Sequence, residues 1–220
     1  MLSTTDCRSQ NRYYGNVRVD ILPLLPSHLP RILEVGCGTG ATLAYLKSQR
    51  CCDWVAGVEP VPAAAAIARE YLDLLIEGNA ETIDLPIPEG SLDAILCLDV
   101  LEHLVDPWAM MKSLRRYLKP HGIVVASLPN VRFYKVLVDL VFHGRWTYVD
   151  AGILDRTHLR FFTRASAIEL VECSGLKVDA ILRKGLEAGK GRSRMNRLTG
   201  GLFEDLLTYQ YLLRARAPLS

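Results

Sequence analysis

Three groupings of residues in this chain could do chemistry. The first is RILEVGCGTG, residues 31–40, which sets Glu34 two residues before Gly36, with Cys37, Gly38 and Gly40 following. Glycines at alternate positions let a backbone approach a ligand closely. The dinucleotide fingerprint G-x-G-x-x-G does this at a pyrophosphate. Here the third glycine comes one residue early, and Glu34 would repel a pyrophosphate. A nucleoside that carries an ammonium group would be attracted instead. The second grouping lies downstream: Glu59 and Pro60, Asn79 and Ala80, Asp99 and Val100. An acid about twenty residues past such a loop can accept hydrogen bonds from both ribose hydroxyls. The third is ILDRTHLRFFT, residues 153–163, which packs Asp155, His158 and Arg160 beside two phenylalanines. Histidine can act as a base near neutral pH. His103 is a rival base, four residues after Asp99, so one helical turn would put both on one face.

Alternating strands and helices must position these groups. RILEVG, WVAGVEP, LDAILCLDV and GIVVASLP read as buried strands. Between them ATLAYLKSQR, VPAAAAIAREYLD and PWAMMKSLRRYLKP carry helical spacing, the last closed by Pro120 and Gly122. This order predicts a parallel sheet covered by helices on both faces. Further on, VRFYKVLVDLVFHG reads as a helix, and an irregular stretch runs to Phe162. TRASAIELVECSG is a helix with Thr163 as N-cap and Gly175 as its stop. LKVDAILRK and LLTYQYLLRARA read as strands that pair antiparallel at one sheet edge. The basic stretch from Arg183 to Arg197 reads as a surface loop. Ligands of open parallel sheets sit at the carboxyl ends of strands, where the strand order reverses. The glycine loop, Glu59, Asn79 and Asp99 all fall near predicted strand ends.

Composition narrows the function classes. The chain has 220 residues, enough for one domain with a full core. Its 26 basic and 24 acidic residues nearly balance. That balance, and the absence of an N-P-P-Y-like base-flipping motif, argue against nucleic acid as partner. No apolar run is long enough to span a bilayer, and the N-terminal stretch lacks the apolar core of a signal peptide. The six cysteines have no framework spacing, which predicts reduced thiols in a cytoplasmic protein. No zinc-ligand pattern appears, so no metal is expected.

The chain resembles the class I S-adenosylmethionine-dependent methyltransferases. ILEVGCGTG resembles their first motif and VEP their ribose-binding acid. GNAETIDLPIPEGSLDAILCLDVLEHLVDP is similar to their adenine and fourth-strand motifs, and LRRYLKPHGIVVASLPN to their next helix, turn and fifth strand. The resemblance implies a Rossmann-like three-layer α/β sandwich, with a mostly parallel seven-stranded sheet and one antiparallel edge strand. It implies one domain over residues 1–220, with a cap region over 1–30 and an acceptor lid over 130–162. S-adenosyl-L-methionine is the implied cofactor. Gly36, Cys37, Gly38 and Gly40 would border its methionyl part, Glu34 would orient its amino group, and Glu59 with Pro60 would hold the ribose. Asn79, where the family has aspartate, would meet the adenine with Ala80. Asp99 and Val100 would lie near the methionine moiety.

The D-x-T-H-x-R-F-F-T run resembles one found in small bacterial methyltransferases, some linked to surface-glycan or natural-product assembly. His158 is then the expected base, Asp155 its orienting group or an acceptor contact, and Arg160 a source of charge. Tyr13, Tyr14 and Arg18 resemble part of a leading helix that closes over the cofactor, and Asn130 is a further acceptor contact. The expected partner is a small-molecule acceptor, most simply an oxygen, and a homodimer stays open. Two readings compete: a degenerate methyltransferase fold that acts as a regulatory or scaffolding partner, and an NAD-dependent oxidoreductase. Against the last, no Tyr-x-x-x-Lys pair is present.

Overall fold

A computed structural model describes residues 16–185 and 196–218. Tyr13, Tyr14, Cys7 and most of the basic stretch 183–197 lie outside the described residues. The strands are β1 (Arg31–Val35), β2 (Trp54–Glu59), β3 (Leu74–Glu77), β4 (Leu92–Leu98), β5 (Leu118–Pro129), β6 (Lys177–Lys184) and β7 (Gln210–Arg216). They form one seven-stranded sheet in the order β3-β2-β1-β4-β5-β7-β6. The first five pair in parallel. β7 runs antiparallel to both β5 and β6, so the antiparallel strand stands one place inside the sheet edge. β3 comes from LLIE, too short to stand out in the sequence.

Alternation along the strands divides the core into two layers. Leu33, Val35, Cys97, Val124, Ala126 and Leu213 face one side. Ile32, Ala94, Leu96, Val125 and Leu212 face the other. Among the described residues the α-helices are α1 (Ala41–Ser48), α2 (Pro62–Ala68), α3 (Pro107–Arg115), α4 (Tyr134–His143), α5 (Arg164–Glu172) and the short α6 (Glu204–Leu207). α3 and α5 cover the first side through Met111, Leu114, Leu170 and Val171. α1, α2 and a 3-10 helix over Val19–Leu24 cover the second through Leu43, Leu46, Ala68, Ile21 and Leu24. Burial of a leucine-sized side chain contributes about 1.5–3 kcal/mol, so these two layers hold the sheet between them.

Local signals set most boundaries. Thr163 caps α5 in a reciprocal box with Ser166, and Gly175 follows with φ of 82°. Gly144 ends α4 in the left-handed region. Two expectations are corrected. α3 stops at Arg115, and Pro120 and Gly122 lie inside β5. There the register slips between Leu92 and Ala94, which absorbs Pro120 and the positive φ of His121. The segment before β1 forms a short 3-10 helix with Pro23 inside it, because a proline removes the amide that a longer α-helix needs. Among the described residues, no helix is long and apolar enough to cross a membrane.

Candidate functional site

The chain runs β1, β2, β3 toward one sheet edge and returns to place β4 beside β1. At that reversal a cleft of about 770 Å³ opens over the carboxyl ends of the strands. Glu34, Gly36, Cys37, Gly38, Glu59, Pro60, Asp99 and Val100 all line it, as do Arg18 and His103.

The glycine loop turns its amides inward. Gly36 and Cys37 both donate to the Val58 carbonyl, Gly38 donates to Glu59 Oε2 at 2.8 Å, and Gly40 donates to the Cys37 carbonyl. Those amides are therefore not offered to a phosphate. Gly36, Gly38 and Gly40 all have positive φ, which favours glycine. A Cβ on Gly36 would also sit 3.0 Å from Val100. Close passage of the loop over β2 depends on Gly57, where a Cβ would fall 2.4 Å from the Cys37 sulfur. Gly40 does not reach the cleft; it packs on Ala68 and Leu72 and starts α1. Burial pushes the Cys37 thiol up, which leaves it an inert packing group.

Two buried carboxyls face the space above this loop. Glu34 is 4% exposed, its Oε2 has no hydrogen-bond partner, and burial pushes it up to about 8. Arg18 opposes that shift and Glu59 adds to it. Glu59 is held at both oxygens, by Gly38 and by the Val61 amide at 2.9 Å. It too is raised by burial, partly offset by those two bonds. An orphaned buried carboxyl is stabilised by a cation. A ligand with an ammonium at Glu34 and hydroxyls at Glu59 fits these groups; a pyrophosphate does not.

The β4 end supplies the next wall. Asp99 adopts φ of 55° and is clamped there. Its amide donates to Ser127 Oγ at 2.8 Å, and that hydroxyl donates back to Asp99 Oδ1 at 2.7 Å. Gln210 and Arg18 also donate to its carboxylate. Arg18 is shared with Asp20 at 2.9 Å, and Lys184 holds Asp20 at 2.7 Å. Ser127 and Gln210 are long-range partners that no motif flagged.

The last wall joins a 3-10 helix, Leu101–His103, to the irregular excursion after α4. His103 lines the cleft with Asp150 and Thr157. Its Nδ1 donates to the Thr157 carbonyl at 3.2 Å. Burial, then His158, lowers its proton affinity. His158 stands behind it, buried, with ring centroids 4.7 Å apart at 79°. The His158 ring does not line the cleft, and its Nδ1 donates to the Ile153 carbonyl at 3.0 Å. The Asp155 carboxylate accepts from the Thr157 amide and hydroxyl instead of from His158. Burial raises Asp155, but those two bonds and then His158 bring it below the usual range. Glu102 sits 1% exposed beside both rings, with Oε2 unpartnered. Burial and then Asp99 push it well above its ordinary value.

Besides Gly40, Asp155 and His158, four more sequence candidates lie off the cleft. Asn79 uses its side-chain oxygen to accept from the Glu81 amide at 2.9 Å, a turn-forming bond, and Ala80 packs against the core. Asn130 is fully buried and donates to the carbonyls of Asp205 and Thr208, which ties β5 to the approach of β7. Arg160 donates to the Val105 carbonyl and lies over Trp108 at 5.8 Å. The Asn79 turn is local, whereas the partners of Asn130 and Arg160 lie far away in the chain, where no local spacing displays them.

Residues 9–181 match the family model described as a methyltransferase domain. A ubiquinone biosynthesis O-methyltransferase of Cereibacter sphaeroides is 30% identical over 76% of this chain and 67% of its own length. One of the same description from Bradyrhizobium diazoefficiens is 33% identical over 46% of this chain and 40% of its own. The chain thus spans two thirds of the first relative and less than half of the second. The crystal structure of an S-adenosylmethionine-dependent methyltransferase from Archaeoglobus fulgidus superposes with a TM-score of 0.65 at 16% identity, covering 97% of this chain and 94% of that one. The chain belongs to the methyltransferase domain family, as a class I member whose cofactor is S-adenosyl-L-methionine.

Proposed function

We propose that the protein methylates an oxygen of a small-molecule acceptor: a sugar, a glycan precursor or a natural product. One observation carries the reading. A single cleft has two buried carboxyls beside an inward-turned glycine loop at one end and a histidine at the other. When bound, S-adenosyl-L-methionine supplies a methyl group made electrophilic by its sulfonium. Glu34 receives the ammonium, and Glu59 accepts from the ribose hydroxyls. Asn79 and Ala80, in the turn that follows β3, flank the adenine. His103 takes the proton of the acceptor hydroxyl. Its Nδ1 faces a carbonyl, which can only accept, so the ring keeps its hydrogen there and presents Nε2 as the lone pair. A positioned base of this kind is worth about 10²–10⁴-fold. His158 is the second member of the pair. Residues 130–162 form the acceptor lid of one domain. The O-methyltransferase relatives support oxygen as the attacking atom.

Calorimetric titration with S-adenosylhomocysteine, with NADH as control, tests the cofactor end. Saturable binding of the former alone is expected. Incubation with phenols, sugars and nucleotide sugars then tests the acceptor, read as S-adenosylhomocysteine release. Turnover of no hydroxylated acceptor, with cofactor binding intact, would favour the regulatory or scaffolding reading.

A further inference from the structure

Behind the cleft wall lies a donor set that the chain order conceals. Glu102 and His103 are adjacent, and His158 arrives from the excursion after α4. Each offers a ligand atom, and these atoms all lie within 4.8 Å of one another. Both imidazoles donate Nδ1–H to backbone carbonyls, His103 to Thr157 and His158 to Ile153. A carbonyl behind a histidine fixes the tautomer and leaves Nε2 as the metal-binding lone pair. Glu102 Oε2 is buried without a partner, although desolvating a carboxyl without a partner is unfavourable. The backbone around the three residues is tied down as well. The Glu102 carbonyl accepts from the amides of Leu159 and Arg160, so the two segments cannot drift apart without breaking those bonds.

We infer that Glu102, His103 and His158 form a site for one transition-metal dication of the zinc type. Two imidazoles and one carboxylate suit such an ion better than magnesium or calcium, which prefer oxygen donors. Bonds of about 2.0–2.2 Å draw the three donors closer together, and the half-buried His103 can adjust. The ion enters through the cleft, because His103 lines it. The site stands on this geometry alone; only its effect on turnover rests on the proposed base. The ion and the acceptor proton compete for the same Nε2 of His103, so the metal-free protein is the active form and zinc inhibits it.

The test is titration of tag-free, chelator-treated protein with Co²⁺, followed by visible absorption. One saturable equivalent is expected, with the band erased by Zn²⁺. Glu102→Gln and His158→Asn should each weaken the apparent affinity at least about tenfold, the scale on which even outer-shell changes act. S-adenosylhomocysteine binding reports that each variant is folded, and one folded variant suffices. His28→Asn and His143→Asn, both on exposed histidines, should leave the titration unchanged. No saturable band, or a band lost in these surface variants and kept in Glu102→Gln, would overturn the site. Cobalt binding without zinc inhibition would keep the site and remove the histidine base.

Discussion

The two ends of the cleft are built in different ways. At the cofactor end the working residues lie in two short stretches, 34–40 and 57–61, on adjacent parallel strands. Bonds from loop amides to the Val58 carbonyl and to the Glu59 carboxylate fix the geometry, and the carboxyls are buried with them. At the acceptor end the excursion after β5 contributes Asp150 and Thr157 to the cleft. Around them α4 buries Val136 and exposes Val138, Leu140, Val141 and Phe142. The cofactor end is thus rigid and local, while the acceptor end is assembled from distant segments over a modest core of Phe133, Val136 and Ile153. A fixed electrophile site with a wall attached by few contacts lets one scaffold serve different acceptors.

Substitutions at each end sharpen this contrast. His103→Ala should reduce turnover about 10²–10⁴-fold while S-adenosylhomocysteine binding persists; an unchanged rate would move the chemistry away from this wall. Glu34→Gln should act at the other end and weaken S-adenosylhomocysteine binding by about 1.5–3 kcal/mol, the worth of a hydrogen bond to a charged group. Equal calorimetric affinities would detach Glu34 from the ammonium. Gly57→Ala forces a Cβ into Cys37 and should lower unfolding stability by about 1–3 kcal/mol, read by denaturant titration. Retained stability would show the loop to be less rigid than the contrast requires.

Acidity gives a subtler measure. Glu34 is raised from 4.5 to about 8 in the fold, so the native state holds a proton that the unfolded chain releases. Its contribution to stability therefore declines as pH rises between those values, and levels off above them. Glu34→Gln should flatten that decline in melts across pH 5–9. The ammonium reverses the preference, so cofactor binding near neutral pH should release a proton, visible as a buffer-dependent calorimetric enthalpy. The smallest effect belongs to the acceptor end. Phe142, 78% exposed, should tolerate Phe142→Ser within about 0.5 kcal/mol. A larger loss of stability would mean that α4 is covered in solution.

Most strands and helices were legible because apolar runs, caps and glycine stops are local in the chain, whereas the order of the strands in the sheet was not read from them. Thr163, Gly144 and Gly175 illustrate this directly. The glycine loop and Glu59 were legible for the same reason: loop and strand end are adjacent elements whose geometry follows from spacing. LLIE was not, since four residues carry too little periodicity. Nor was the β5 entrance, where Pro120 looked like a helix stop and instead lies in an irregular strand.

By itself the sequence determined the sandwich, the crevice and the character of the ligand, through the early third glycine and the acid at Glu34. The tertiary structure decided which polar residues reach the cleft. It put His103 in front of His158, and turned Asn130 and Arg160 to structural bonds. It clamped Asp99 with Ser127 and Gln210, and brought Glu102 within reach of both imidazoles. The physical reason is that hydrogen bonds and burial depend on distance in space. A side chain whose partner lies dozens of residues away has no spacing to betray it.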